Sequence, residues 1–179
     1  MEINENKTKV MLINFTYQHK FTSRLQLKGK SIDIVDTIKT PGVRVTNKLD
    51  WSENTDILKK KVNQQMQLLR AVWGFGCSIE EMVHLWKLFC LSVLEQSCVV
   101  WGSSLTKENE DDLERTQKSF AKLVLRDQYK DYVSALIRLN LEDLVSRRKK
   151  LMLKFAKDGI ESEKMNHYFK PRQTDHIME

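Results

Sequence analysis

Proline, cysteine and glycine are all scarce in this chain of 179 residues, at two, three and six. So little proline and glycine excludes a collagen-like or Pro/Gly-rich low-complexity chain. Cys77, Cys90 and Cys98 are odd in number and widely spaced, which excludes a disulfide framework and a CxxC pair. They are expected to be reduced thiols buried inside helices. Long apolar runs are missing too. The most apolar stretch, from Leu85 to Trp101, is interrupted by Lys87, Glu95 and Gln96, and a bilayer span needs about 18–20 apolar residues. The first ten residues mix acids and bases and lead into no apolar segment with a small-residue cleavage site. The chain therefore reads as intracellular, with no membrane partner.

What is present suits a folded module. Apolar residues make up 41% and charged residues 30%, enough to bury a core under a charged surface and too apolar for a disordered polyampholyte. The length predicts one domain with a small appendage. The net charge of +6 is unevenly spread: residues 1–60 carry 11 bases and 7 acids, residues 61–120 carry 6 and 8, and residues 121–179 carry 13 and 9. Both ends are basic, which weakly favours a polyanionic partner.

Hydrophobic periodicity divides the chain near Trp51. Before it, strand signals dominate. Val10 to Phe15 is an apolar run of strand length. Leu25 and Leu27 alternate with polar residues, as do Ile32 and Ile34, and Gly29 between them marks a hairpin turn. A further strand is expected from Asp36 to Lys39, with Pro41-Gly42 as the turn into Val43-Arg44-Val45. After Trp51 the period becomes helical through Ile57, Leu58, Val62, Met66, Leu69 and Trp73, with Ser52 or Asn54 as the cap and Gly74 and Gly76 as the stop. Ser78 and Glu81 form a capping-box pattern that opens a central helix reaching Trp101, with Leu85, Trp86, Phe89, Val93 and Leu94 inward. A helix from Lys107 to Arg126 follows, then a short one at Tyr132–Leu139. The last runs from Leu141 to Asp158, with Gly159 as its C-terminal stop. The expected fold class is α+β: a small antiparallel sheet or hairpin (residues 1–51), a bundle of four to five helices (52–159) and a polar tail (160–179).

One surface stands out chemically. At about 100° per residue, Arg147, Lys150, Lys154 and Lys157 share a sector roughly 80° wide. Leu144, Leu151, Met152 and Phe155 lie on another, with Arg148 near the apolar edge, where its stem can snorkel. A helix with one cationic and one apolar stripe suits docking onto a phosphate backbone, because counterion release drives such contacts. The competing reading is a merely solvated face. Catalytic and metal signals are absent: Cys77, His84 and Cys90 match no compact zinc spacing, the Asp111-Asp112 pair suits a helix dipole, and no phosphate loop, nucleophile elbow or HExxH occurs. Trp73, Trp86 and Trp101 fall at core positions rather than as stacking platforms.

Five phrases, in order, resemble the C-terminal region of non-LTR retrotransposon reverse transcriptases of the jockey-like kind. Asn4-Glu5-Asn6-Lys7-Thr8-Lys9-Val10-Met11 is similar to the strand that follows the catalytic YxDD hairpin of the palm. Gly42-Val43-Arg44-Val45 through Leu49-Asp50-Trp51 is similar to the phrase leading into the thumb. Leu94-Glu95-Gln96-Ser97-Cys98-Val99-Val100-Trp101, Leu113-Glu114-Arg115-Thr116-Gln117-Lys118, and Leu141-Glu142-Asp143-Leu144 with Arg147-Arg148 resemble its later helical phrases. There are departures. Pro41 replaces the usual Leu, Asn54-Thr55 replaces His-Ile, and Glu95 to Cys98 lacks the usual Tyr and Pro.

The resemblance implies the end of a palm, a thumb and a connector, from an enzyme that copies RNA into DNA. Its metal-binding aspartates would precede Asn4, and no acid here matches them, so Mg²⁺ is implied for the full-length polymerase and no cofactor for this chain. The chain is expected to be inactive alone. It would grip RNA and RNA–DNA duplex with Arg147, Lys150, Lys154 and Lys157, beside the rest of the polymerase chain, with Lys7 and Lys9 near the incoming nucleotide. No small-molecule substrate of its own is expected, and the parent could work in nucleus or cytoplasm. The alternative is a domesticated, free-standing helical module that binds protein or nucleic acid.

Overall fold

A computed structural model describes residues 3–4, 7–15 and 25–169. It is an α+β fold in which short strand pairs precede a helical bundle. Strand β1 (Lys9–Val10) pairs in parallel with β4 (Asp33–Ile34), while β2 (Gln26–Leu27) and β3 (Lys30–Ser31) form an antiparallel hairpin. Lys28 and Gly29 make its two-residue turn with φ of 50° and 82°, the pair of positive angles that a type I′ turn requires. Strands β5 (Thr37–Thr40) and β6 (Val43–Thr46) close around Pro41-Gly42, where Gly42 has φ of 87°. Proline followed by glycine at positive φ fits a type II turn.

Two expectations about the strands need correction. The run from Val10 to Phe15 does not continue as a strand: β1 ends at Val10, because its partner β4 is equally short and the chain turns at Asp36 into β5. The β1–β4 pair is also parallel, so the sheet region is not wholly antiparallel.

Helix α1 (Ser52–Gly74) starts without a side-chain cap of its own. Asp50 replaces the expected Ser52 or Asn54: its Oδ1 accepts from the Ser52 N–H at 2.7 Å. Helix α2 (Ile79–Leu85) does open on the expected capping box, with reciprocal bonds between Ser78 and Glu81. The central helix is not continuous, however. It widens into a π-helical turn over Trp86–Leu91, resumes as α3 (Ser92–Glu95), breaks at Gln96 and Ser97, where Ser97 has φ of 55°, and ends as α4 (Cys98–Trp101). The Ser92 hydroxyl donates to the Leu88 carbonyl at 2.6 Å, a bond that competes with the helical ladder. The wide turn puts burial on every fourth residue, at Met82, Trp86, Cys90, Leu94 and Cys98. Phe89, expected inside, is 44% exposed and Leu88 53%.

Helix α5 (Lys107–Leu125) runs parallel to α1, joined by the Lys59–Asp112 ion pair at 2.5 Å, and by Arg126 just beyond α5 placing its guanidinium 5.4 Å from the Trp73 ring centre. Trp86 stacks on Phe120 with ring centres 4.5 Å apart, tying the wide turn to α5. Helix α6 (Tyr132–Leu139) has the expected bounds, with Asp131 as its cap. Helix α7 (Leu144–Glu161) passes straight through Gly159, which is buried and stops nothing. A Cβ there would lie 2.4 Å from the Phe169 ring, so glycine admits the returning segment. That segment, with a short 3₁₀ turn at Asn166–Tyr168, packs Phe169 edge-on to Phe155, so the first part of the supposed tail is seated on α7. Cys77 lies outside a helix and is half-buried; Cys90 and Cys98 are buried free thiols. Among the described residues no single helix is long and apolar enough to cross a membrane.

Trp101 is fully buried, and its indole N–H donates to the Gln96 carbonyl at 3.0 Å across the helix break. It has no face to offer a base. Trp101→Ala should cost about 3–5 kcal/mol, read as a lowered midpoint in urea denaturation; an unchanged midpoint would contradict the structural role.

Candidate nucleic-acid interface

The orientation of α7 is set at its first turn. Asp143 caps it, its Oδ1 accepting from Ser146 N–H at 2.8 Å. From α5, the Glu114 carboxylate accepts the Leu144 N–H at 3.1 and 3.3 Å and the Tyr132 hydroxyl proton. A carboxylate suits this place because the helix start carries exposed amide hydrogens and a partial positive charge. Burial pushes the Glu114 carboxyl above its ordinary value, while the Tyr132 and Leu144 hydrogen bonds oppose that shift.

Burial on α7 centres on Leu144, Arg148 and Gly159, while Leu151 and Met152 are half-buried and Phe155 is partly exposed. The core-facing side is thus turned toward Arg148, whose head does not snorkel. Arg148 is 2% exposed, and neither Nη1 nor Nη2 has a hydrogen-bond partner among the described residues. Desolvation lowers its pKa from the usual guanidinium value.

The four cations of the predicted stripe occupy different states. Arg147 is half-buried and held by Glu95, with Nε–Oε1 at 2.5 Å and Nη2–Oε2 at 3.3 Å. That bidentate pairing raises its pKa further. Lys150 is exposed and reaches Glu142 at 2.6 Å, while Lys157 stands 4.0 Å from Glu161. Lys154 is exposed with no ion-pair partner among the described residues, as is Lys149 on another side of the helix. Lys150, Lys154 and Lys157 are exposed to solvent. Arg147 is instead a strut between α7 and the break after α3.

A second cationic surface lies at the strands. Lys7 and Lys9 line a groove of about 430 Å³ with Thr37, Ile38, Lys39 and Arg44. Lys39 and Arg44 sit directly opposite each other in the β5–β6 ladder, an arrangement of like charges that destabilises a sheet unless an anion faces it. Glu53 supplies part of that charge, bonding Arg44 Nη1 at 2.5 Å. Sequence reasoning passed over Lys39 and Arg44. The signal was there, since a two-residue turn at Pro41-Gly42 pairs Thr40 with Val43 and therefore Lys39 with Arg44.

No group of three or more His, Cys, Asp or Glu side chains among the described residues is placed to hold a metal ion. No protein-family model matches the chain, and neither a curated protein nor a solved structure shows significant similarity to it.

Arg148 gives a direct test of the α7 seat. Neither Nη of Arg148 makes a hydrogen bond among the described residues, so replacing this desolvated charge by a hydrophobe relieves a burial penalty on the order of several kcal/mol. Arg148→Met should therefore melt at the same or a higher temperature than the parent. A clear loss of stability would show that the guanidinium is needed for folding.

Proposed function

We propose that this chain is the non-catalytic C-terminal part of an RNA-directed DNA polymerase of the non-LTR retrotransposon kind, gripping RNA and RNA–DNA duplex through the backbone. The observation that carries the reading is α7: its opposite side is seated on α5, and it offers Lys150, Lys154 and Lys157 to solvent. Ammonium groups on flexible stems suit phosphates, and an A-form duplex is held largely through backbone and shape. The order of the elements supports the same reading, since strands, a hairpin and a helical bundle follow one another as the palm end, thumb entry and thumb would. In this proposal the rest of the polymerase chain supplies the chemistry and its Mg²⁺.

Each phosphate contact contributes about 0.7–0.9 to the slope of log K against log salt. Changing Lys150 and Lys154 together to Gln should weaken binding to all sequences alike and lower that slope by roughly 1.5, measured by titration with RNA–DNA duplex at several salt concentrations. Both side chains are exposed, so the fold should survive, which circular dichroism checks. The same affinity and slope in the variant would leave α7 a solvated face.

Lys7 and Lys9 are proposed to lie near the incoming nucleotide when the palm is present. Their groove with Lys39 and Arg44 supports an anionic neighbour. In the full polymerase, replacing each by Leu should lower kcat for at least one of the two; unchanged kcat for both would sink the assignment.

A second reading, a free-standing interaction module, draws on Leu88 and Phe89. The wide turn presents both to solvent on the central helix, as a protein-binding surface would. A genomic copy with no in-frame YxDD palm upstream would favour it.

A further inference from the structure

The hairpin β5–β6, the start of α1 and the helix break enclose a pocket of about 480 Å³, lined by Lys39, Gly42, Val43, Arg44, Asn54, Ile57, Leu58, Lys61 and Gln96. Its size falls in the range of about 300–1,000 Å³ common for small-ligand sites. The floor is apolar, from Val43, Ile57 and Leu58. The polar groups around it are mainly donors and cations.

Two of those donors are orphaned. Asn54 is 3% exposed. Its Oδ1 accepts the Arg44 backbone N–H at 3.2 Å, and because only the oxygen of an amide can accept from N–H, this bond fixes which side is Nδ2. Nδ2 then has no partner among the described residues, and neither does the buried Nε of Arg44. Buried donors are nearly always satisfied, by protein, water or ligand. Water would serve the donors but not the charge. Glu53 offsets Arg44, whereas Lys39 and Lys61 are exposed and have no ion-pair partner among the described residues. Two free ammonium groups match one phosphate monoester, which carries about −1.5 to −2 at pH 7.

We propose that this pocket binds a nucleoside monophosphate. Its flat base lies on Val43, Ile57 and Leu58, a ring carbonyl accepts from Asn54 Nδ2, and the phosphate sits between Lys39 and Lys61. The same chemistry is offered by a free nucleotide and by the phosphorylated end of a strand. The site is independent of α7 and does not rest on the polymerase reading.

Calorimetric titration of the full chain at low salt with uridine monophosphate, uridine, ribose 5-phosphate and inorganic phosphate tests the proposal. The monophosphate should bind at least tenfold more tightly than uridine, which lacks the phosphate, and than ribose 5-phosphate and inorganic phosphate, which lack the base. Lys39→Gln with Lys61→Gln should weaken it about tenfold without touching the core. Asn54→Asp keeps the acceptor for the Arg44 N–H while removing the Nδ2 donor, and should weaken it as well. Should that buried variant fail to fold, Ile57→Trp, which fills the pocket from a half-buried position, replaces it. Competition by a 5′-phosphorylated oligouridylate, and not by its unphosphorylated form, would place the natural ligand at a strand end; no competition would place it with the free nucleotide. Absence of monophosphate binding, or equal binding by the Lys39/Lys61 variant, overturns the proposal. In that event, duplex binding lost on changing Lys150 and Lys154 would leave the α7 reading intact.

Discussion

At Gln96 and Ser97 the central helix gives up its hydrogen-bond ladder, and most of the surrounding structure is organised by that interruption. Trp101 closes it from one side, its indole donating to the Gln96 carbonyl. The Pro41-Gly42 turn approaches from another, so closely that a Cβ on Gly42 would stand 3.1 Å from Gln96 Nε2 and 3.2 Å from Ser97 Oγ. Glu95, the last residue before the break, holds Arg147 of α7. One short stretch thus bears on the hairpin, the bundle and the cationic helix.

The π-helical turn upstream complements the break. By adding a residue to one turn it keeps Trp86 against Phe120 while bringing Cys90, Leu91 and Leu94 into the core. The cost is borne by Leu88 and Phe89, which are left facing outward. Wide turns of this kind are uncommon and often mark functional positions.

Charge is distributed on a similar plan of local answer and residual excess. Carboxylates from neighbouring elements already engage Arg147, Lys150 and Arg44. Lys154, Lys39 and Lys61 have no such partner among the described residues. An exposed ion pair contributes little, in the range of about 0–1 kcal/mol, so a phosphate can displace Glu142 from Lys150 readily. Displacing Glu95 from Arg147 is harder, because that pair is bidentate and half-buried. The two cationic surfaces therefore differ in what they suit: loose, adaptable contacts along α7, and a shaped pocket under the hairpin.

Much was legible in the residues themselves. The hairpin turns at Gly29 and Gly42, the capping box at Ser78 and the bounds of α6 all depend on interactions within a few residues of each other, which local composition encodes. Gly159 looked like a stop and is a contact point, because the residue that needs its missing side chain, Phe169, lies ten positions away in the chain. Phe89 looked buried because an ideal helical period was assumed through a turn that departs from it. The cationic sector of α7 could be counted off at 100° per residue. That Arg147 would be held by Glu95 and Arg148 buried could not be, since both outcomes are set by where α7 meets α3, α4 and α5. Sequence by itself determined the order and type of the elements and the clustering of positive charge, because these are short-range properties. Tertiary structure alone decided which cations stay free, where the helix breaks and which buried donors are left open, because each depends on groups brought together from distant parts of the chain.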